Sequence, residues 1–336
     1  MFNLFLVKSP LQLLNAIEAS DGFNAGKDIL IIRSTSNRRT NTQMENLLDL
    51  KEWDRIYRIK YSVLPVNFIK EFFLLKKLIK SQIVIDKVFI GDYRLLNFKI
   101  FPINLKHNKI FLLDDGTSTF TVQDFYLKDQ KEYAEQSYIE KLKKFTAKYF
   151  FGFKIRLEEK IHLFTCYNIT THPGQEIIHN EYRYIKTYLQ KKTLLKINRN
   201  KIYYIGAKYV EANLMQEDIY LDLIVKVKNK FSDGQLIYVP HRGEKKSKLR
   251  RIMDLGITIE YFDNIVEIEF LFKDELPNVI CGFTSSVLIN IPKIYPQIHV
   301  LIFKVDNHLF RPSYRDTVEN FYTRFQQSEG LNLTEI

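Results

Sequence analysis

Three short segments carry acidic, imidazole or hydroxyl side chains fit for proton transfer or anion binding, and each follows directly on an apolar run. The first is Asp114-Asp115-Gly116-Thr117-Ser118. Two adjacent carboxylates repel one another, which raises one of them toward a pKa useful in a general base. Gly116 lets the backbone turn sharply beneath a ligand, although Asp-Gly also ends strands as a plain Asx turn. The second is Tyr238-Val-Pro-His241-Arg242-Gly243, followed by the basic run Glu-Lys-Lys-Ser-Lys-Leu-Arg-Arg at 244–251. A partly protonated imidazole beside cations suits an anionic leaving group; the basic run by itself reads as a solvated helix face. The third is Cys281-Gly-Phe-Thr284-Ser285-Ser286. Small hydroxyl residues opening a helix offer N–H groups and side-chain oxygens to an anion, and Ser and Thr are equally the ordinary N-caps. The chain contains no Asp-x-Asp pair, which argues against a Mg²⁺-clamped nucleotide sugar. It also lacks a Walker A sequence, a G-x-G-x-x-G and any His/Cys metal spacing.

These segments need elements to position them, and hydrophobic periodicity supplies candidates. Residues 2–7, 29–33, 55–60, 87–91, 109–114 and 161–164 read as buried strands. Helical patterns at 11–19 and 66–79 lie between them, and 120–151 reads as one or two helices. A helix is expected at 176–189, then a polar, basic link at 189–201. Strands at 202–205, 235–239, 257–262, 279–282 and 298–303 follow, with helices at 217–228 and 249–255. Such alternation implies βαβ crossovers and two α/β units with mostly parallel sheets. Ligands then bind outside the carboxyl ends of the strands, where all three segments stand. The stretch 68–79 has lysines flanking an apolar stripe and could lie on a membrane. Its ordinary amphipathic pattern favours a crossover helix with solvated lysines.

Composition narrows the classes. With 336 residues, 46% hydrophobic and rich in Tyr and Phe, the chain is no disordered protein. Two Cys, Cys166 and Cys281, exclude a disulfide scaffold and a Cys-rich zinc module. The opening residues read as a strand rather than a signal peptide, and no run approaches the length of a membrane span. A cytoplasmic, soluble protein is the expectation. The net charge of +11 points to an anionic partner: nucleic acid, a membrane surface or a phosphorylated small molecule. A basic nucleic-acid-binding protein is the rival from another class, but no recognised module is present and the basic residues are scattered.

In their order, an acidic-acidic-Gly motif, a His, a Glu some way downstream and a Ser-Ser pair resemble the bacterial GT-B sialyltransferases. That group includes the lipooligosaccharide sialyltransferases of glycosyltransferase family 52 and the polysialyltransferases. The opening Lys8-Ser-Pro-Leu-Gln12-Leu-Leu-Asn15-Ala-Ile-Glu18 and Asp86-Lys-Val-Phe-Ile-Gly-Asp92-Tyr93 also look like the group. The resemblance implies an α/β GT-B fold: two Rossmann-like domains with parallel sheets facing a central cleft. Residues 1–190 would bind the acceptor and 201–305 the CMP-sugar, with 306–336 returning to the first domain as a C-terminal helix. It implies an inverting, metal-independent transfer of sialic acid from CMP-sialic acid, with no further cofactor, to a galactose-terminated, lipid-linked surface glycan. The expected linkage is α-2,3, and the expected place is the inner membrane face, held peripherally. Asp115, or else Asp114, would be the base, and His241 would protonate or hydrogen-bond the departing phosphate. Gly206, Arg242, Gly243, Glu267, Thr284, Ser285 and Ser286 would bind the donor, with Glu267 on the ribose. Gln12, Asn15, Asp92 and Tyr93 would meet the acceptor. The alternative is another GT-B enzyme with a different CMP-linked acid or a nucleoside-diphosphate sugar. One departure is that Arg242, not Pro, follows His241; the sole His-Pro pair is His172-Pro173.

Overall fold

Runs of Ile, Leu, Val and Phe between polar turns suit strands buried on both faces, as a parallel sheet covered by helices requires. The computed structural model describes residues 1–23, 26–61, 67–128, 138–191, 195–231, 234–326 and 332–336. Residues 66, 129–137 and 192–194, parts of two expected helices and of the expected link, lie outside the described residues. The chain divides into two units, Met1–Tyr184 and Ile185–Ile336.

The first unit is a seven-stranded parallel sheet: β1 (Phe2–Val7), β2 (Asp28–Arg33), β3 (Arg55–Ile59), β4 (Ile85–Ile90), β5 (Lys109–Leu113), β6 (Ile161–Thr165) and β7 (Ile177–His179). Their order is β3-β2-β1-β4-β5-β6-β7. Strand alternation divides the core. Leu4 and Leu6 of β1 join Ile29, Val88 and Phe72 in one layer. Phe5 turns to the other face, where its ring stacks on Phe89 at 4.5 Å and Phe89 stacks on Phe111 at 5.3 Å. The chain leaves β1 toward β3 and returns to β4 on the opposite side. The carboxyl ends of β1 and β4 therefore flank a reversal of strand order, where α/β sheets bind ligands. Lys8 follows β1 there, and Asp92 follows β4.

The second unit is a six-stranded sheet: β8 (Lys196–Ile205), β9 (Gln235–Val239), β10 (Thr258–Ile259), β11 (Glu275–Gly282), β12 (His299–Lys304) and β13 (Asn332–Glu335), in the order β10-β9-β8-β11-β12-β13. All its pairings are parallel. The reversal falls between β8 and β11, so Gly206 and Phe283-Thr284 stand at its two sides and His241 one strand away.

The structure departs from several expectations. The single helix at 176–189 is β7 followed by the helix Arg183–Gln190. Ile177 and Ile178 pair with Leu163 and Phe164 of β6, and Tyr182, at φ 51°, separates strand from helix. The unit boundary consequently falls after Tyr184 rather than at 190. Much of the expected link is strand, because Lys196–Asn198 extend β8 along Glu275–Pro277 of β11. The strand expected at 257–262 is only Thr258–Ile259. Residues 306–336 belong to the second unit instead of returning to the first. Their helix Pro312–Gln326 is tied to the end of β12 by Tyr322, whose hydroxyl donates to Phe303 O at 3.2 Å and accepts from Val305 N at 3.1 Å. The stretch 68–79 lies in the helix Asn67–Lys80, with Phe68, Phe72, Leu75 and Leu78 buried in the core, the ordinary crossover reading. Among the described residues no helix is long and apolar enough to cross a membrane.

Candidate active site

In the first unit the acid pair splits. Asp114 is buried, and its Oδ2 accepts from Cys166 N at 2.8 Å across to β6. Burial pushes its carboxyl up to about 6 against hydrogen bonds that favour the charged form. Asp115 keeps 24% of its side chain exposed at the end of β5. Gln12 Nε2 donates to its Oδ1 at 2.8 Å, and Arg94 Nη2 donates to its Oδ2 at 2.9 Å. Gln12 is itself oriented, since its Oε1 accepts from Lys8 N at 2.9 Å. Arg94 also grips Asp92, which pairs with Lys8 Nζ at 2.6 Å. Burial, then the Asp92 charge, raise the Asp115 carboxyl, opposed by Gln12, Arg94 and Lys8. Burial pushes Asp92 up as well, but Arg94 and Lys8 outweigh it and hold that carboxyl below its ordinary value. Gly116, at φ 64°, makes the turn that a residue with a Cβ would resist.

In the second unit His241 is half-buried beyond β9. Gly243 N donates to its Nδ1 at 3.0 Å, which assigns the proton of the neutral ring to Nε2. Burial first, then Arg242, Lys208 and Lys248, lower its pKa to about 4. The free ring is therefore neutral at pH 7, not partly protonated as the sequence suggests. Glu244 closes the turn: its Oε1 accepts from His241 N at 2.8 Å and its Oε2 from the Tyr238 hydroxyl at 2.8 Å. Lys248 lies behind it, 3.4 Å from Glu244 and 3.0 Å from Glu211, with its ammonium 4.5 Å over the Tyr220 ring. At Gly206 a Cβ would overlap the Tyr238 and Glu244 side chains, so glycine makes room for this network. Glu267 is buried, its Oε1 accepts from Asn290 Nδ2 at 2.8 Å, and burial raises its carboxyl while Asn290 and the Arg242 charge oppose that rise. Ser285, Ser286 and Thr284 precede the helix Val287–Ile294. Thr284 is spoken for: its N–H donates to Tyr209 OH at 3.1 Å, and its hydroxyl meets the same oxygen.

Each unit thus gathers polar groups beyond the carboxyl ends of its strands: a positioned carboxylate in one, an imidazole, an arginine and a hydroxyl-rich helix start in the other. Residues 3–304 match the family model described as alpha-2,8-polysialyltransferase. The chain belongs to the alpha-2,8-polysialyltransferase family. Membership makes it a glycosyltransferase of the sialyltransferase kind, with a nucleotide-sugar donor and a glycan acceptor. No curated protein sequence matches it. Among solved structures it is similar to the UDP-GlcNAc 2-epimerase of Methanocaldococcus jannaschii, with a TM-score of 0.53 at 12% identity over 100% of this chain and 89% of that one. An alpha/beta-galactoside alpha-2,3-sialyltransferase from Photobacterium phosphoreum aligns over 99% of this chain and 98% of its own, at 11% identity and a TM-score of 0.49. Such identities concern the fold alone, which is the expected GT-B α/β architecture.

Within this sialyltransferase framework the expected acceptor contacts need correction. Gln12, Asn15, Asp92 and Tyr93 are all buried. Gln12 and, through Arg94, Asp92 orient Asp115. Asn15 Nδ2 donates to Asp114 O at 3.1 Å, and its Oδ1 accepts from Asn180 Nδ2 at 2.9 Å, a tether between strand ends. Tyr93 turns into the core, with Lys99 Nζ 4.6 Å over its ring. The basic run is not simply a solvated face either, because Lys248 is fully buried. Sequence reasoning missed Arg94, Glu244 and Lys248. A Glu three residues after His241 is a turn-closing spacing that could have flagged Glu244; nothing local marks the other two.

His172-Pro173 lies elsewhere. Gln175, bonded through its N–H to His172 O at 2.9 Å, donates from Nε2 to Ile161 O at 3.0 Å, at the amino end of β6. That is the opposite edge of the sheet from Asp115.

Glu244 supplies a pH prediction. Burial raises its carboxyl from 4.5 to about 7, with Lys248 the main opposing influence. The folded state therefore holds a proton that the unfolded chain has released, and this group's contribution to stability falls as pH rises from 4.5 to about 7. A Glu244→Gln variant is expected to show a flatter melting temperature across that window. An unchanged slope would contradict the assignment.

Proposed function

We propose that the protein transfers sialic acid from CMP-sialic acid to a glycan with inversion at the anomeric carbon and without a metal ion. The observation that carries this reading is the contrast within the acid pair: Asp114 is locked into the core, while Asp115 is part-exposed and held by Gln12, Arg94 and the Ser118 hydroxyl. Asp115 takes the proton of the acceptor hydroxyl as the new C–O bond forms. The bond from the anomeric carbon to the phosphate oxygen breaks, and CMP leaves with its electron pair through an oxocarbenium-like transition state. His241, neutral with its proton on Nε2, donates a hydrogen bond to the phosphate oxygen as negative charge gathers there, and the proton stays on the ring. Arg242 and the N–H groups and hydroxyls of Ser285 and Ser286 supply the positive potential that a divalent cation supplies in other enzymes. Each essential contact is worth ~3–4 kcal/mol, by analogy with other preorganised anion sites. The ribose role of Glu267 rests on the resemblance alone, since its side chain is buried and its Oε1 accepts from Asn290.

The acceptor in this reading is the non-reducing end of a lipid-linked surface glycan, met at the inner membrane face. The expected α-2,3 linkage rests on the resemblance alone, whereas the family description names α-2,8 transfer. The two differ in acceptor, a galactoside or a sialoside, and products made from both separate them. The donor half is tested by melting the protein with CMP in the presence of EDTA. At 100 times its dissociation constant a ligand adds about 2.7 kcal/mol, so a clear upward shift is expected. Stabilisation by UDP or GDP but not CMP would overturn the donor assignment and favour a nucleoside-diphosphate sugar.

A further inference from the structure

Two segments of the first unit leave outward faces that the reaction does not use. In the helix Asn67–Lys80, Phe72 is buried while its neighbour Phe73 is 61% exposed and packs its ring on Phe151 at 5.2 Å. The second segment is the helix Tyr138–Phe145 and the π-helical turn Thr146–Phe150 that continues it. Glu140 and Ala147 face inward, whereas Phe145, Tyr149 and Phe150 are 52%, 66% and 74% exposed. These three rings gather on the outside, Phe145 lying 4.9 Å from Tyr149 and 6.1 Å from Phe150. Clustered, exposed aromatic rings are costly in water and mark a surface that meets something else.

The charges on these segments have one sign. Their only carboxylates, Glu71 and Glu140, are buried. Lys70, Lys76, Lys77, Lys80, Lys141 and Lys148 are exposed. Lys76 Nζ stands 5.7 Å over Phe151, and Lys148 Nζ stands 5.3 Å over Tyr149, so cations and rings share one surface. Every basic residue in both segments is Lys and none is Arg. Protein interfaces favour Arg and are poor in Lys, whereas a headgroup layer accepts aromatic rings at its boundary and lysines against its phosphates. We infer that this aromatic and lysine face docks the protein on an anionic lipid bilayer. The inference deepens the proposed function, resting on it only for the lipid-linked acceptor that such docking would serve.

The test is co-sedimentation of the full chain with vesicles of phosphatidylcholine, alone or mixed with phosphatidylglycerol. Binding to the mixed vesicles only is expected. In a Phe145→Ser/Tyr149→Ser/Phe150→Ser variant the bound fraction should fall at least ~10-fold, with the melting temperature unchanged. A Lys141→Gln/Lys148→Gln variant, which leaves the rings in place, should weaken binding in the same direction and make what remains less sensitive to salt. Equal binding by wild type and the aromatic variant would overturn the inference, as would indifference of the wild type to phosphatidylglycerol. So would light scattering showing a dimer that the aromatic variant loses, since a second copy would then cover the face. Vesicle binding needs no catalysis, and the shift with CMP needs no vesicle, so failure of one reading is distinguishable from failure of the other.

Discussion

An Asp115→Asn variant is expected to lose ~10²–10⁴-fold in transfer rate, the span that a positioned general base contributes. Folding should survive, because Asn keeps the shape and can still accept from Arg94 through Oδ1. The amide NH₂ would then face Gln12 Nε2, a modest clash of donors at a part-exposed site. Asp114→Asn should behave differently, since Asp114 sits in the core and its carboxylate accepts from Cys166 N. Its carboxyl is raised by burial from 3.8 to about 6, so its contribution to stability falls as pH climbs through that range. Asn there removes the slope and shifts the melting temperature while transfer persists. Paired assays of activity and melting temperature decide it. Full activity in both variants would reduce Asp114-Asp115-Gly116 to a plain turn.

The second large effect is at His241. A His241→Ala variant should slow turnover far more than it weakens CMP binding, because a group acting on the leaving phosphate contributes mainly in the transition state. Loss of one preorganised donor costs ~10²–10³-fold in kcat. His172→Ala should transfer at nearly the wild-type rate: its ring bonds Gln123 O at 3.0 Å and the His-Pro turn sits by the amino end of β6. Steady-state kinetics of both variants with CMP competition check this. A reversed result would move the leaving-group role to His172.

The strands that position these groups were legible because each is a continuous apolar run: β1 is found at the expected residues 2–7, and β5 differs by one residue at its end. Residues 176–189 misled because Ile178, Tyr182, Ile185 and Leu189 recur at helical spacing, and only the positive φ at Tyr182 separates strand from helix. The first residues of β8 were hidden for the opposite reason, a polar and exposed extension that only its pairing with β11 makes a strand. The acid pair, His241 and the Ser-Ser helix start stood out as polar interruptions at strand ends. Their supports did not. Arg94 reaches Asp115 across 21 residues, and Lys248 reaches Glu211 across 37, contacts set by which strand ends the topology brings together. Gln12 and Asn15 were visible as polar residues in an apolar helix, but whether they meet a ligand or a neighbouring strand end depends on burial, which no local pattern reports.

Transfer of sialic acid is read out by mass spectrometry of the reaction. The protein, CMP-sialic acid and EDTA are incubated with fluorescently tagged galactoside and sialoside acceptors. The expected product is an acceptor heavier by one or more sialic acid residues, formed with release of CMP and abolished in Asp115→Asn. Absence of any sialylated product with CMP-sialic acid, beside transfer from a nucleoside-diphosphate sugar, would contradict it.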